Sequence, residues 1–291
     1  CMAYAGPGEG VIIQPPVYPP FFSSVRHSGR VVIENPLVPE DPDTGDPGHY
    51  RMDLDHLEQC AARPDARILL LCSPHNPVGR VWSEEELTAV LDIARRHRLV
   101  VVSDEIHCDL TFTDKPRHTM LAKLAGPEDA LVTAVAPSKS FNMPGLGLSA
   151  LVIPDADRRK AMKDVFESMH LPQCNPFSIA GFEAGYRHGA PWLDDLMAYL
   201  QASRDYVVEA VGQRLPAIRV SAPEGTYLMW LDCRELGLDD AGLKRFFVRE
   251  ARVGMNPGLS FGDPGSGFMR LNIGCARSVL EEVIGRIEAA L

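Results

Sequence analysis

No stretch of this sequence is apolar for the roughly 18 residues that a membrane-crossing helix needs. Its start lacks the basic segment followed by an apolar one that marks a secretory leader. Positive charge is also short: Lys and Arg number 29 against 39 Asp and Glu, a formal net charge of -10. A surface of that sign repels phosphate backbones, so nucleic acid is not expected as a partner, and neither is a membrane. Paired cysteines are missing too, since the seven are scattered at 1, 60, 72, 108, 174, 233 and 275 with no C-x-x-C pair. An odd, dispersed set does not make a disulfide framework and points to a reducing, cytoplasmic compartment. His27, His49, His56, His97, His118 and His188 show no metal-ligand spacing, so no metal is expected.

An initiator methionine is also missing. Cys1 opens the chain, Met2 to Ala5 read as the last turn of a helix, and Gly6-Pro7-Gly8-Glu9-Gly10 as the turn after it. The sequence reads as if it begins in the middle of a fold.

What is present is an ordinary globular mixture, with 45% hydrophobic and 23% charged residues over 291 positions, enough for one large domain or two smaller ones. The first half alternates short β-branched runs with helical stretches. Strands are expected at Val11–Gln14, Arg30–Glu34, Arg67–Cys72, Leu99–Ser103, Ala130–Val135 and Leu148–Ile153. They are apolar nearly throughout, as strands covered on both faces must be. Between the third and fourth, Ser83 and Glu86 form a capping box ahead of Leu87, Val90, Leu91 and Ala94 at helical spacing. Strand, helix, strand in that order implies a mainly parallel sheet sandwiched by helices.

The second half reads as two helices, Phe177–His188 and Pro191–Leu215, followed by strands at Ile218–Val220 and Thr226–Asp232. A helix Asp239–Arg252, a strand Phe268–Ile273 and a final helix from Ser278 complete it. The fold class is therefore α/β, with a large domain over residues 1–185 and a smaller C-terminal α+β domain over 186–291. Asp41 to His49, rich in Pro, Gly and Asp, reads as an exposed loop. Met162 and Met169, seven apart, read as core.

In open α/β sheets ligands bind beyond the carboxyl ends of the strands. The third expected strand is followed by Ser73-Pro74-His75-Asn76-Pro77-Val78-Gly79, the fourth by Asp104-Glu105-Ile106-His107, and the fifth by Pro137-Ser138-Lys139-Ser140-Phe141-Asn142. Taken singly these are loop punctuation, a solvated strand end and a surface lysine. Jointly they put an amide, a carboxylate and a lysine on consecutive strand ends, 28 and then 35 residues apart (76, 104, 139).

That combination resembles the class I/II aminotransferase family of pyridoxal-phosphate (PLP) enzymes. The likeness extends through Asn175-Pro176-Phe177-Ser178, Trp192-Leu193, the run Gly225 to Asp232 and Gly267-Phe268-Met269-Arg270-Leu271-Asn272. The resemblance implies PLP as cofactor, carried covalently by Lys139, which also moves protons in catalysis. It implies Asp104 beside the pyridine nitrogen. A pair of unit charges about 4 Å apart attracts by about 4 kcal/mol at an effective dielectric near 20, enough to hold that nitrogen protonated. Asn76 would donate to the phenolic oxygen, Tyr18 would stack on the ring, and Ser138 would contact the phosphate. His107 would complete the cofactor-binding set, and Arg270 would bind the substrate α-carboxylate. A cis bond before Pro77 is also implied. Two positions depart from the family pattern: Ala136 stands where many relatives have a phosphate-binding serine, and Gly147 where they have an arginine. The resemblance also implies an N-terminal segment ahead of Cys1, carrying a phosphate-binding loop.

Within the family, Asp104-Glu105-Ile106-His107 and Gly225-Thr226-Tyr227-Leu228-Met229-Trp230-Leu231-Asp232 are similar to the cystathionine β-lyase-like C–S lyase branch, since aminotransferases commonly carry tyrosine at the place of His107. The implied activity is α,β-elimination of cystathionine or another cysteine S-conjugate, by a homodimer acting on a small amino-acid substrate. An aminotransferase of the same fold, or a truncated, non-catalytic PLP-fold protein, are the alternatives.

Overall fold

The structure is a computed structural model and describes residues 1–40, 49–171 and 175–291. The strands, in chain order, begin with β1 (Gly10–Ile13), β2 (Val31–Glu34), β3 (Val38–Pro39), β4 (Tyr50–Arg51), β5 (Ala66–Cys72) and β6 (Val100–Asp104). They continue with β7 (Leu131–Val135), β8 (Ala150–Val152), β9 (Arg219–Val220), β10 (Leu228–Asp232), β11 (Asn256–Pro257) and β12 (Phe268–Asn272). The helices are α1 (Pro19–His27), α2 (Leu54–Ala61), α3 (Glu84–His97), the single-turn α4 (Pro137–Ser140) and α5 (Ala156–Ser168), followed by α6 (Pro176–His188), α7 (Ala190–Arg214), α8 (Asp240–Arg245) and α9 (Arg277–Ala290).

The large sheet has the order β2-β1-β5-β6-β7-β8. Every pairing in it is parallel except β7 with β8, which is antiparallel. β5 and β6 are direct neighbours, with Cys72 opposite Asp104, so the two motif-bearing strand ends emerge side by side. The central strands are buried because helices cover them. α3, with its capping box formed as expected, turns Leu87, Val90, Leu91 and Ala94 inward. A second sheet, β11-β12-β10-β9, is antiparallel and packs on α7 and α9 through Val207, Val211, Leu280, Ile284 and Ile287. The two halves share apolar contacts, because Trp230, Phe261 and Phe268 join the cluster built on β5 and α3.

The structure departs from the sequence reading in three places. The helix expected over Asp239–Arg252 is α-helical only to Arg245; it then widens into a π turn, Phe246–Glu250, where the adjacent Phe246 and Phe247 are both buried. Met162 and Met169 are not core: α5 buries no side chain, and Met169 is 49% exposed. Helical spacing shows only that two side chains share a face, not that anything covers that face. β8 is likewise half-open, with Val152 at 52% exposure, because it is the sheet's edge strand. The loop expected over Asp41 to His49 lies, apart from His49, outside the described residues.

Candidate active site

The loop after β5 is shaped by its own backbone. His75 N–H donates to Arg80 O at 2.8 Å and Gly79 N–H to His75 O at 2.8 Å, and the Asn76–Pro77 bond is cis, as expected. Gly79 has φ +74, and a Cβ there would lie 2.4 Å from Pro223 Cβ, so only glycine lets the loop lie this close to the second half. Gly79 O accepts from Glu224 N–H at 2.9 Å and Gly225 N–H at 3.0 Å, while Thr226 N–H donates to Leu110 O at 2.7 Å. The loops that bear Asn76, Asp104 and Tyr227 are thereby tied together.

Asn76 is buried, and its Oδ1 accepts from Arg270 Nη1 at 2.9 Å. Nδ2, the donor end of the amide, has no partner among the described residues. The other Arg270 terminal nitrogen, Nη2, donates to Asn256 Oδ1 at 2.8 Å, and the guanidinium lies 4.9 Å from the Phe261 ring centroid. Burial pushes the Arg270 pKa down, with the Tyr227 and Tyr18 hydroxyls near enough to oppose it. Nε of Arg270 is buried without a partner among the described residues. A half-buried guanidinium with spare N–H groups and, among the described residues, no carboxylate partner fits an incoming carboxylate. Val17 N–H donates to Phe261 O at 2.9 Å, which fixes the segment carrying Tyr18 against the ring beneath Arg270.

The consecutive carboxylates at the end of β6 have opposite surroundings. Glu105 is fully buried and satisfied: it accepts from Ser103 Oγ at 2.8 Å, Leu121 N at 3.2 Å and His118 Nε2 at 2.6 Å. Asp104 keeps a little exposed surface, yet its carboxyl is packed among protein atoms and accepts only from Ile106 N–H, at 3.4 Å, among the described residues. Burial raises its pKa to about 6; the Ile106 hydrogen bond and the nearby Lys139 ammonium work against that rise, and Glu105 adds to it. His107 is buried, its ring packed edge-on against Tyr227 at 5.7 Å, and its Nδ1 has no partner among the described residues. Burial, reinforced by the charges of Lys139 and Arg270, lowers its pKa to about 3, so it is neutral at ordinary pH. Lys139 sits on α4, which Ser140 Oγ fastens to Asp109 Oδ2 at 2.7 Å. Ser138, beside it, is half-exposed and its hydroxyl has no partner among the described residues.

A cavity of about 430 Å³ opens at Lys139. Its walls include Trp192, Leu196, Tyr199 and Leu200 from α7, with Tyr227 and Cys275 opposite. Asn76, Asp104 and Tyr18, expected to share one pocket with Lys139, lie outside this lining. Asn256 as a partner of Arg270, Tyr227 as the rest for His107, and the α7 face were not anticipated. For α7 a signal existed, because 192, 196, 199 and 200 fall on one helical face.

The model of the aminotransferase class I and II family matches residues 1–287. The chain belongs to that family. It is 39% identical over 290 residues to the cystathionine beta-lyase PatB of Bacillus subtilis, covering 99% of this chain and 73% of that protein. It is 36% identical to the protein MalY of Escherichia coli, covering 97% and 70%. Among solved structures, cystalysin of Treponema denticola, which contains a pyridoxal 5'-phosphate cofactor, superimposes with a TM-score of 0.93 at 34% identity, over 99% of this chain and 72% of that one.

The residues present fit that cofactor at its ring. An uncompensated Asp104 carboxylate suits a protonated pyridine nitrogen, a free Asn76 Nδ2 suits a phenolate, and Lys139 is at hand as the carrier amine. Ser138 carries a hydroxyl beside Lys139, whereas Ala136 and Gly147 bring no donor side chain.

Proposed function

We propose that this chain is a PLP-dependent C–S lyase that converts cystathionine or another cysteine S-conjugate into a thiol, pyruvate and ammonia. The observation that carries the reading is the proximity of Lys139 to Asp104, and of Lys139 and Arg270 to His107, where among the described residues neither Asp104 nor Arg270 has an ion partner. The choice of elimination over amino transfer rests on similarity: 39% identity to a cystathionine beta-lyase against 26% to an aspartate aminotransferase of Musicola paradisiaca.

The chemistry that bound PLP supplies is withdrawal of electrons from the substrate Cα. In this reading Arg270 holds the α-carboxylate and orients Cα. The Lys139 amine takes the Cα proton. Asp104 keeps a positive charge at the floor of the cleft, and neutral His107 leaves that charge uncontested. Asn76 donates through Nδ2, Tyr18 offers its ring for stacking, and the Ser138 hydroxyl reaches toward the phosphate. The Cβ–S bond then breaks with its electron pair on sulfur, and water releases ammonia from the three-carbon remainder as pyruvate forms.

The same reading takes residues 1–185 as the cofactor-carrying domain and 186–291 as the smaller domain that contributes Arg270. It takes the assembly as a cytoplasmic homodimer with Tyr18 and Arg270 near the partner, which light scattering tests. Among the described residues no helix is long and apolar enough to cross a membrane.

The activity test is a lactate-dehydrogenase-coupled assay for pyruvate from L-cystathionine, run beside an amino-acceptor assay. Pyruvate release that vanishes in Lys139→Ala is expected. Amino transfer without pyruvate from any cysteine conjugate would favour the aminotransferase reading instead.

A further inference from the structure

The cavity beside Lys139 has a character of its own. Trp192, Leu196, Tyr199 and Leu200 follow the spacing that aligns side chains along one helix face and form one wall. Tyr227, Asn272 and Cys275 stand across from them. Among the described residues that line it, Lys139 alone is charged. Nearby charges are engaged elsewhere. Arg277 lies 4.4 Å from the Tyr206 ring centroid and donates to Ala202 O at 2.7 Å, and Asp109 is held by Ser140. Arg270 and Asn272 are two apart on β12 and so face the same side of the sheet. A substrate anchored by its carboxylate at Arg270, with Cα at Lys139, has this cavity within reach of its side chain.

We propose that the cavity receives the S-substituent of the thioether and selects uncharged, aromatic or apolar substituents over the charged aminoacyl half of cystathionine. This rests on the lyase reading above and narrows its substrate class. The distal half of cystathionine carries an ammonium and a carboxylate. Apart from Lys139, which the reaction itself uses, the described walls offer these charges only the amides of Asn142 and Asn272 and the hydroxyls of Tyr199 and Tyr227 and no counter-charge, so each loses hydration with incomplete compensation as it enters. An aromatic ring meets Trp192, Tyr199 and Tyr227 instead, and sheds only apolar hydration. The balance of the elimination is the same for both: the Cα proton goes to Lys139, the Cβ–S pair leaves on sulfur, and no oxidant is needed.

The test uses the chain with added PLP, S-benzyl-L-cysteine and L-cystathionine, and two readouts. For pyruvate release, kcat/KM is expected to be about ten-fold or more higher for the benzyl conjugate, mainly through KM. The second readout is tryptophan emission. Trp192 is 47% exposed whereas Trp82 and Trp230 are buried, so the exposed component reports the cavity. Half-saturation is expected at an about ten-fold lower concentration of the benzyl conjugate, with the signal lost in Trp192→Phe. Leu196→Lys, at a half-buried wall position, should narrow or reverse the preference in both readouts. A ratio at or below one in either readout overturns the proposal. Pyruvate from neither conjugate, with the emission preference intact, removes the lyase reading and leaves the selectivity of the cavity standing. Pyruvate from both without preference does the opposite.

Discussion

Around Arg80 each buried charge has a counter-charge, whereas Asp104 and Arg270 have polar neighbours but, among the described residues, no ion partner. Arg80 donates to Glu224 Oε2 at 2.9 Å, to Glu86 Oε2 at 3.0 Å and to Tyr50 O, and it lies 4.9 Å from the Trp82 ring centroid. Glu224 also accepts from Val81 N at 2.7 Å, and Glu86 completes the cap on Ser83. At the strand ends, by contrast, Asp104 has no cation in hydrogen-bonding contact among the described residues, and Arg270 Nε, His107 Nδ1, Ser73 Oγ and Gln14 Oε1 are buried without partners there. Buried polar groups in proteins are as a rule satisfied. The Arg80 cluster therefore reads as a clamp between the two halves, and the unsatisfied strand ends as a place made for a ligand.

The largest expected effect lies on the ligand side. Lys139→Ala should reduce pyruvate release by about 10³-fold or more, with far-UV circular dichroism unchanged and the melting temperature within a few degrees of the parent. A large fall in stability would instead put Lys139 with the clamp. Next comes the clamp itself. Arg80→Ala leaves Glu224 and Glu86 without their buried cation and should cost about 3 to 5 kcal/mol of unfolding free energy in urea titrations. A loss under about 1 kcal/mol would dissolve the contrast.

Asp104→Asn should separate stability from function. The folded pKa of about 6 lies above the ordinary 3.8, so the folded state gains a proton that the unfolded state does not hold between those values. Stability attached to this group is full below about pH 4 and is lost as pH rises through about 6. At about two pKa units, the cofactor-free Asp104→Asn protein should be more stable than the parent by roughly 2 to 3 kcal/mol at pH 8, with the gain fading toward pH 4. Its affinity for PLP should fall at the same time. Equal stability of the two proteins at pH 8 would mean that Asp104 is compensated after all. The smallest effect belongs to the rim of the clamp, where His49, its side chain 42% exposed, approaches Glu224 at 3.4 Å. His49→Gln should change unfolding free energy by less than about 0.5 kcal/mol, which marks burial, not charge count, as what makes the clamp matter.

Much of this was readable in one dimension. The six strands of the large sheet, the Ser83–Glu86 cap and the order of motifs at strand ends follow from local rules: β-branched runs, a hydroxyl three residues before a glutamate, and prolines and glycines where chains turn. Asn76, Asp104 and Lys139 could be singled out because a parallel sheet must bring successive carboxyl ends to one side. Nothing local separates Asp104 from Glu105, or His107 from His118. These are adjacent or like residues whose roles depend on which groups, up to 16 positions away in sequence, come to satisfy them, as Leu121 N–H does for Glu105. Nor could spacing tell the covered face of α3 from the open face of α5. Chain order and local patterning establish which chemical groups stand at the strand ends and in what succession. The tertiary structure alone decided which of them are deprived of both water and partner, because desolvation is a property of the whole surrounding volume and is written in no single segment of chain.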